Sequence, residues 1–198
     1  MRSFVNGDAY LDIDMSDLAR TVNKLSTILT EQQLEKLMHR TFKEVGERGK
    51  TPIAKEVSKD YAVTQKWVRS GIEKYQLGYG LNGVSCTIPL SSKKGSIGGL
   101  FKASGGGERK IKAAIVRAHK STLPDKMKNQ GGNPPFMANG IAYTRRKKTR
   151  FPIVRVVGLG VPQMPLNLSE DKVKTALLEL ADKRLEHNLI HLFDTGFK

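Results

Sequence analysis

Apolar and polar residues change their spacing at two points along the chain, and those points divide it. Ala9 to Asp14 alternates, Tyr10, Asp12 and Asp14 against Leu11 and Ile13, which is the pattern of a short edge strand. Ser16 then stands where a helix cap is expected, with Asp17 in the first turn, and Leu18, Val22, Leu25 and Leu29 recur at helical spacing. Thr30-Glu31-Gln32-Gln33 reads as a capping box, because the Thr hydroxyl can accept an orphan N–H while Gln33 reaches back. The helix it opens places Leu34, Leu37, Met38, Thr41, Phe42 and Val45 on one face, and Gly46 and Gly49 are expected to loosen its end. Thr51-Pro52 starts another helix carrying Ile53, Val57 and Tyr61. After the connection Tyr61-Ala62-Val63, Thr64 caps a further helix with Trp67, Val68 and Ile72. Residues 52–74 therefore read as helix, tight turn, helix.

From Gly78 the helical period disappears, glycine becomes frequent and β-branched runs take over. Val84 to Pro89 is a strand with Cys86 and Ile88 on one face, and Ile97 to Lys102 is a second, weaker one. Gly105-Gly106-Gly107 makes a flexible tip, and Arg109 to Arg117 alternates as a strand through Ile111, Ala113 and Ile115. Residues 119–140 keep no apolar period and read as a long loop. Near its end Asn139-Gly140 is a strong hairpin signal that pairs Pro135–Ala138 with Ile141–Arg146. Ile153 to Val157 makes another strand, ended by Gly158 and Gly160.

The helical period returns after Ser169, the expected cap, with Glu170 and Asp171 in the first turn. Val173, Leu177, Leu180, Ala181, Leu185, Leu189 and Leu192 line one broad face, and Gly196 ends the helix. The expected fold class is α+β: N-terminal helices and a long C-terminal helix packed on an antiparallel, loop-rich sheet. A single domain is expected over residues 1–198, with a helical part (1–77), a basic β part (78–160) and the C-terminal helix (169–193).

Charge sharpens this picture. The net charge is +15, and 16 of the 34 Lys and Arg lie between Ser91 and Arg155 with only two of the 19 acids, Glu108 and Asp125. That block carries +14 and the remainder of the chain +1. Charge concentrated in this way is a footprint for a polyanion, either nucleic acid or an acidic protein surface. Arg145, Arg146, Lys147, Lys148 and Arg150 are its densest cluster, and Arg109, Lys110 and Lys112 extend it. Tyr143 and Phe151 are the aromatic residues flanking the cluster, so phosphate contact is favoured over base stacking. The lone cysteine, Cys86, cannot form an intramolecular disulfide and suits a reducing cytoplasm. No apolar run of signal-peptide length opens the chain, and none approaches the ~20 residues of a membrane span.

Catalytic chemistry finds no motif. His187 and His191 stand one helical turn apart without a third ligand, so no metal is expected. Gly105-Gly106-Gly107-Glu108-Arg109-Lys110 lacks the spacing of a phosphate loop, and Gly158-Leu159-Gly160 lacks the third glycine of a dinucleotide site. No cofactor and no catalytic residue is assigned. On spacing alone, residues 52–74 also match a DNA-reading helix-turn-helix that would present Gln65, Lys66, Arg69 and Ser70, and a sequence-specific DNA-binding protein is the alternative reading.

Thr144 to Met164 combines the basic run, Phe151-Pro152-Ile153, a strand, and Gly158-Leu159-Gly160-Val161-Pro162-Gln163-Met164 ahead of a terminal helix. In that order these features resemble the prophage minor tail protein Z family, tail-completion proteins of long-tailed phages. Leu159 stands where the family's common form has Pro. The resemblance implies a structural protein of the virion tail or neck, assembled in the host cytoplasm. It further implies a homo-oligomeric ring, of six copies, around the DNA channel at the head–tail junction. Its partners would be tail terminator, tail tube or connector proteins, with genomic DNA in the lumen as a non-specific contact and no membrane. Phe151, Pro152, Val161, Pro162, Gln163 and Met164 would serve assembly.

Overall fold

The computed structural model describes residues 3–5, 8–13, 18–80, 83–106, 109–124, 133–147 and 150–195. Strands β1 (Ser3–Val5) and β2 (Asp8–Ile13) form an antiparallel hairpin. The alternation of Ala9 to Ile13 is thus a strand, but not an edge one, because β1 flanks it on one side and β4 on the other. Asp14, Ser16 and Asp17 lie outside the described residues. Helix α1 (Ala19–Leu25) follows, with Leu18, Leu25 and Leu29 buried.

Helix α2 (Glu31–Arg48) opens with the capping box its sequence announces. Gln33 N–H donates to Thr30 Oγ1 at 3.4 Å, and Thr30 N–H donates to Gln33 Oε1 at 2.9 Å. Gly46 does not loosen the helix. It lies inside α2, against the Tyr75 ring that a side chain there would strike. Only Gly49 separates α2 from α3 (Lys50–Asp60), so the second helix begins before Thr51-Pro52. Helix α4 (Gln65–Arg69) is capped by Thr64, whose hydroxyl accepts from Trp67 N–H at 3.3 Å. It stops well short of Ile72, whose backbone instead bridges to Leu90.

Strands β3 (Gln76–Gly80) and β4 (Gly83–Leu90) complete a four-stranded antiparallel sheet in the order β1-β2-β4-β3. Val84, Cys86, Ile88 and Leu90 alternate inward from β4, and α2 packs on that face. The expected helical and β parts are therefore interleaved: the first two strands of this sheet come from the N-terminus. Strand β5 (Lys94–Ser96) precedes Ile97 and Phe101, which are fully buried but belong to a tight turn, where a weak strand was expected. Leu100 and Phe101 N–H groups both donate to Ser96 C=O, closing that turn.

Strands β6 (Ala103–Gly106), β7 (Arg109–Val116) and β8 (His119–Thr122) form a three-stranded antiparallel sheet. Gly105 and Gly106 thus sit in a strand, and Gly107 lies outside the described residues. The expected loop over 119–140 is shorter than its polarity suggests: β8 occupies its start and β9 (Phe136–Ala138) its end. Between them, residues 125–132 lie outside the described residues. Strands β9, β10 (Ile141–Arg145) and β11 (Ile153–Arg155) make another three-stranded antiparallel sheet, and β12 (Val157–Gly160) pairs with β5.

Helix α5 (Glu170–Thr195) covers α2 and α3. Val173, Leu177, Ala181 and Leu185 are buried along its inner face. Ser169 C=O accepts the first helical hydrogen bond, from Val173 N–H at 2.9 Å, while its hydroxyl donates to Asp60 Oδ2 at 2.9 Å. Asn188, polar but buried, donates from Nδ2 to Thr41 Oγ1 on α2 at 3.3 Å. The result is the expected α+β class, with four small antiparallel sheets among the described residues in place of one loop-rich sheet.

Candidate polyanion-binding site

The basic cluster is delivered by two consecutive hairpins. Asn139 (φ +48°) and Gly140 (φ +75°) form the left-handed turn that matches strand twist, and Ile141 pairs with Ala138 as the sequence predicts. This turn rests on Gly98, itself at φ +88°. A Cβ on Gly98 would run into Gly140 C=O and lie 2.7 Å from Ile141 Cα. Backbone hydrogen bonds fix the strand below: Ala142 N–H donates to Ile97 C=O, Val156 N–H to Ala142 C=O, and Ile97 N–H to Val156 C=O.

Ala142 and Thr144 are fully buried, so Ile141, Tyr143 and Arg145 point to the opposite, outer face of β10. The register sets Tyr143 between Phe136 on β9 and Arg155 on β11, and Arg145 opposite Ile153. Phe136 and Tyr143 stack with centroids 6.1 Å apart, and the Arg145 guanidinium stands 5.5 Å from the Phe136 centroid.

Among the described residues, hydrogen bonds to backbone carbonyls hold the loop after β10. Arg146 N–H donates to Pro152 C=O at 3.1 Å. Asn133 Nδ2 donates to the carbonyls of both Arg145 and Lys147, at 2.7 and 3.1 Å, and Thr144 Oγ1 donates to Asn133 C=O. Arg150 lies 5.8 Å from the Phe151 ring centroid. Asn133 is one of the residues that the sequence pattern does not single out. Its only signal was an amide beside Pro134-Pro135, at the exit of a polar run.

Beside this hairpin opens a cleft of about 410 Å³, where Lys94, Arg146, Arg155 and Gln163 meet. Val154 and Gly158 contribute to its walls. Gln163 Oε1 accepts from Gly160 N–H at 3.0 Å, which leaves its NH₂ end as a donor. Among the described residues no carboxylate pairs with Lys94, Arg146 or Arg155. The ion pairs there belong to the helices: Glu44 with Arg40 and Arg184, Glu56 with Lys59, and Asp60 with Lys172. Two guanidiniums, one ammonium and one amide around a single hollow are a donor set for phosphate or carboxylate oxygens.

The structure gathers the predicted residues only in part. Arg146 lines the cleft, Arg145 stands on the adjoining sheet face, and Lys147 and Arg150 are exposed on the loop. Lys148 and the Arg109 side chain lie outside the described residues. Lys110 and Lys112 are exposed on β7, in a different sheet, and do not reach the cleft. Lys94 and Arg155 complete the site instead. Arg155 was visible in the sequence as the one charge interrupting a β-branched run.

The expected assembly residues divide. Phe151 (64% exposed), Pro152 and Gln163 face outward, and Pro162 is half-buried. Val161 and Met164 are fully buried within the chain itself, Val161 against Gly71, so they anchor the turn Val161–Gln163 and present no surface. Gly158 does not end its strand. It lies within β12 because Phe101 occupies the space of a side chain, with Cε2 2.8 Å from where a Cβ would stand.

The other motifs gain nothing from the geometry. Helix α4 has five residues and spans about 7.5 Å. Arg69 donates to Gln65 within it, and the Ser70 hydroxyl donates to Trp67 C=O while accepting from Lys93. Three of the four side chains expected to read bases are therefore engaged locally. His187 and His191 are exposed, and no group of three metal-ligand side chains occurs among the described residues. No helix among them is long and apolar enough to cross a membrane.

The class that fold and site define is an α+β chain with a cationic cleft, without a carboxylate partner among the described residues, beside an aromatic–arginine sheet face. Protein-family models, curated proteins and solved structures provide no match to it.

Proposed function

We propose that this chain is a structural component of a phage virion: a tail-completion protein forming a ring at the head-proximal end of the tail or in the connector, around the DNA channel. The observation that carries the reading is the cleft of Lys94, Arg146 and Arg155, three cations without a carboxylate partner among the described residues. Like charges gathered in one hollow repel each other, so the arrangement costs stability in the isolated chain and is relieved by a polyanionic neighbour. Beside these charges stand Phe151 and Ile153, exposed to 64% and 39%, on the same hairpin. A cationic and apolar rim of this kind suits contact with a second copy or with a tail protein. The run from Thr144 to Met164, which resembles the minor tail protein Z family, contains most of both features. Shape, ring closure and charge suffice for such a role, and no catalytic group is required.

Imaging of purified phage particles carrying a labelled copy of this chain tests the reading. Ring density is expected at the head-proximal end of the tail. Arg146→Glu with Arg155→Glu should yield heads and tails that fail to join. Purified particles that lack the chain would refute the proposal.

A further inference from the structure

The sequence favours contact with phosphate over stacking, because few aromatic residues interleave with its basic cluster. Folding changes that balance. It brings Phe136, nine residues from the cluster's start, into register with Tyr143, and Tyr143 into register with Arg155. Phe136, Tyr143 and Arg155 form one row across three neighbouring strands, which lie about 4.8 Å apart, so the row runs roughly 10 Å over the sheet. Both rings are half-buried on the outer face, whereas Ala142 and Thr144 on the inner face are fully buried. Arg145 stands over the Phe136 ring, and Ile153, opposite Arg145, is 39% exposed. Arg155 belongs both to this row and to the cleft, where Arg146 and Lys94 follow.

We infer that this sheet face and the cleft together bind single-stranded nucleic acid. The inference rests on the polyanion contact in the reading above and names its ligand. One or two unpaired bases lie against the Tyr143 and Phe136 rings, and the adjoining phosphates meet Arg145, Arg155 and then the cleft. Aromatic rings on a sheet with arginines alongside recognise a strand whose base faces are free, and every base has such a face. A duplex keeps its bases stacked and paired, so it reaches only exposed cations such as Lys147 and Arg150. An acidic peptide satisfies the guanidiniums but has no flat face for the rings.

Fluorescence anisotropy with a labelled oligo-dT strand, a hairpin duplex carrying the same number of phosphates, and a polyglutamate competitor of equal charge tests this. The single strand is expected to bind at least about tenfold tighter than the duplex, and polyglutamate should displace it poorly. Tyr143→Leu should weaken single-strand binding by about tenfold, with duplex binding and the salt dependence unchanged. Arg155→Gln, at an exposed position, should reduce the slope of log affinity against log salt by about 0.7 for the single strand. On the unsubstituted chain, photo-crosslinking of a bromouracil oligonucleotide should mark Phe136 or Tyr143, which tests the contact even where Tyr143→Leu fails to fold. Equal affinity for strand and duplex, displacement by polyglutamate at equal charge, or crosslinks confined to the loop would overturn the inference. Ring density in particles without strand-selective binding removes this inference alone. Strand-selective binding by a chain absent from particles removes the ring alone.

Discussion

At the scale of single residues, two titrating groups report on how the core is closed. Cys86 is fully buried at the centre of β4, and burial, reinforced by the Asp12 carboxylate on β2, pushes its thiol from 9.0 up to about 12. The thiolate is the reactive form, so native Cys86 should resist a thiol reagent at pH 8, and modification should proceed only at the rate of unfolding. Rapid labelling without denaturant would show that the sheet opens locally. The folded thiol holds its proton more tightly than the unfolded one. This contribution to stability is therefore intact below pH 9 and lost as pH climbs toward 12. Asp60 behaves in the opposite sense. Burial alone would raise it, but hydrogen bonds from Lys172 and Ser169 and the charges of Lys172 and Lys59 carry it below its ordinary 3.8. Its contribution is present above pH 3.8 and lost as pH falls through the lowered folded value. Asp60→Asn should cost about 1 kcal/mol at pH 7, measured by urea denaturation, and should flatten the acid limb of the stability curve. Neither role was legible in the sequence. The hydrogen-bond donors to Asp60, Ser169 and Lys172, lie more than a hundred positions away in the chain.

At the scale of elements, local chemistry was legible wherever neighbours in sequence settle the conformation. Thr30 with Gln33, Thr64, and Asn139-Gly140 all act as their residue types dictate, because caps and tight turns satisfy their own backbone groups. Elements decided by distant packing were not legible. Gly158 reads as a strand end, yet Phe101 fills the place of its side chain; Ile97 to Lys102 reads as a strand, yet its backbone turns back on Ser96. Strand β8, His119 to Thr122, is polar because three of its four residues are exposed, so no apolar period betrays it. Gly98 is the sharpest case of a long-range constraint, since it carries both a positive φ and the backbone of the Asn139-Gly140 turn. Gly98→Ala should therefore destabilise the chain by at least about 2 kcal/mol, with thermal melting as the measurement. Gly140→Ala should cost less: the same left-handed strain applies, but no atom lies within 4 Å of the added group. Equal losses at both positions would mean that Gly98 does not support the turn.

At the scale of the whole molecule, the ion pairs among the described residues lie on the helices. Lys172–Asp60 and Arg184–Glu44 tie α5 to α3 and α2, while Lys94, Arg146 and Arg155 face one cleft without a carboxylate partner among the described residues. The sequence revealed the imbalance as +14 between Ser91 and Arg155, but not which cations converge, because Lys94 and Arg155 are brought there by β5 and β11. A cluster of this kind trades stability for binding. Replacing all three cations with glutamine should then leave the melting temperature unchanged or slightly higher, since mutual repulsion is removed and no ion pair is lost. The same variant should lose its response to polyanions. For the unsubstituted chain, heparin at a hundred times its dissociation constant adds about 2.7 kcal/mol, which for a chain of this length raises melting by roughly 5–10 °C. That gain should vanish in the triple variant and fade in the unsubstituted chain as salt rises, because released counterions drive the association. A triple variant that melts well below the parent would mean that the cations brace the fold, and the cleft would then be structural. A variant that keeps its heparin response would move the polyanion contact to the cations of β7 and the loop.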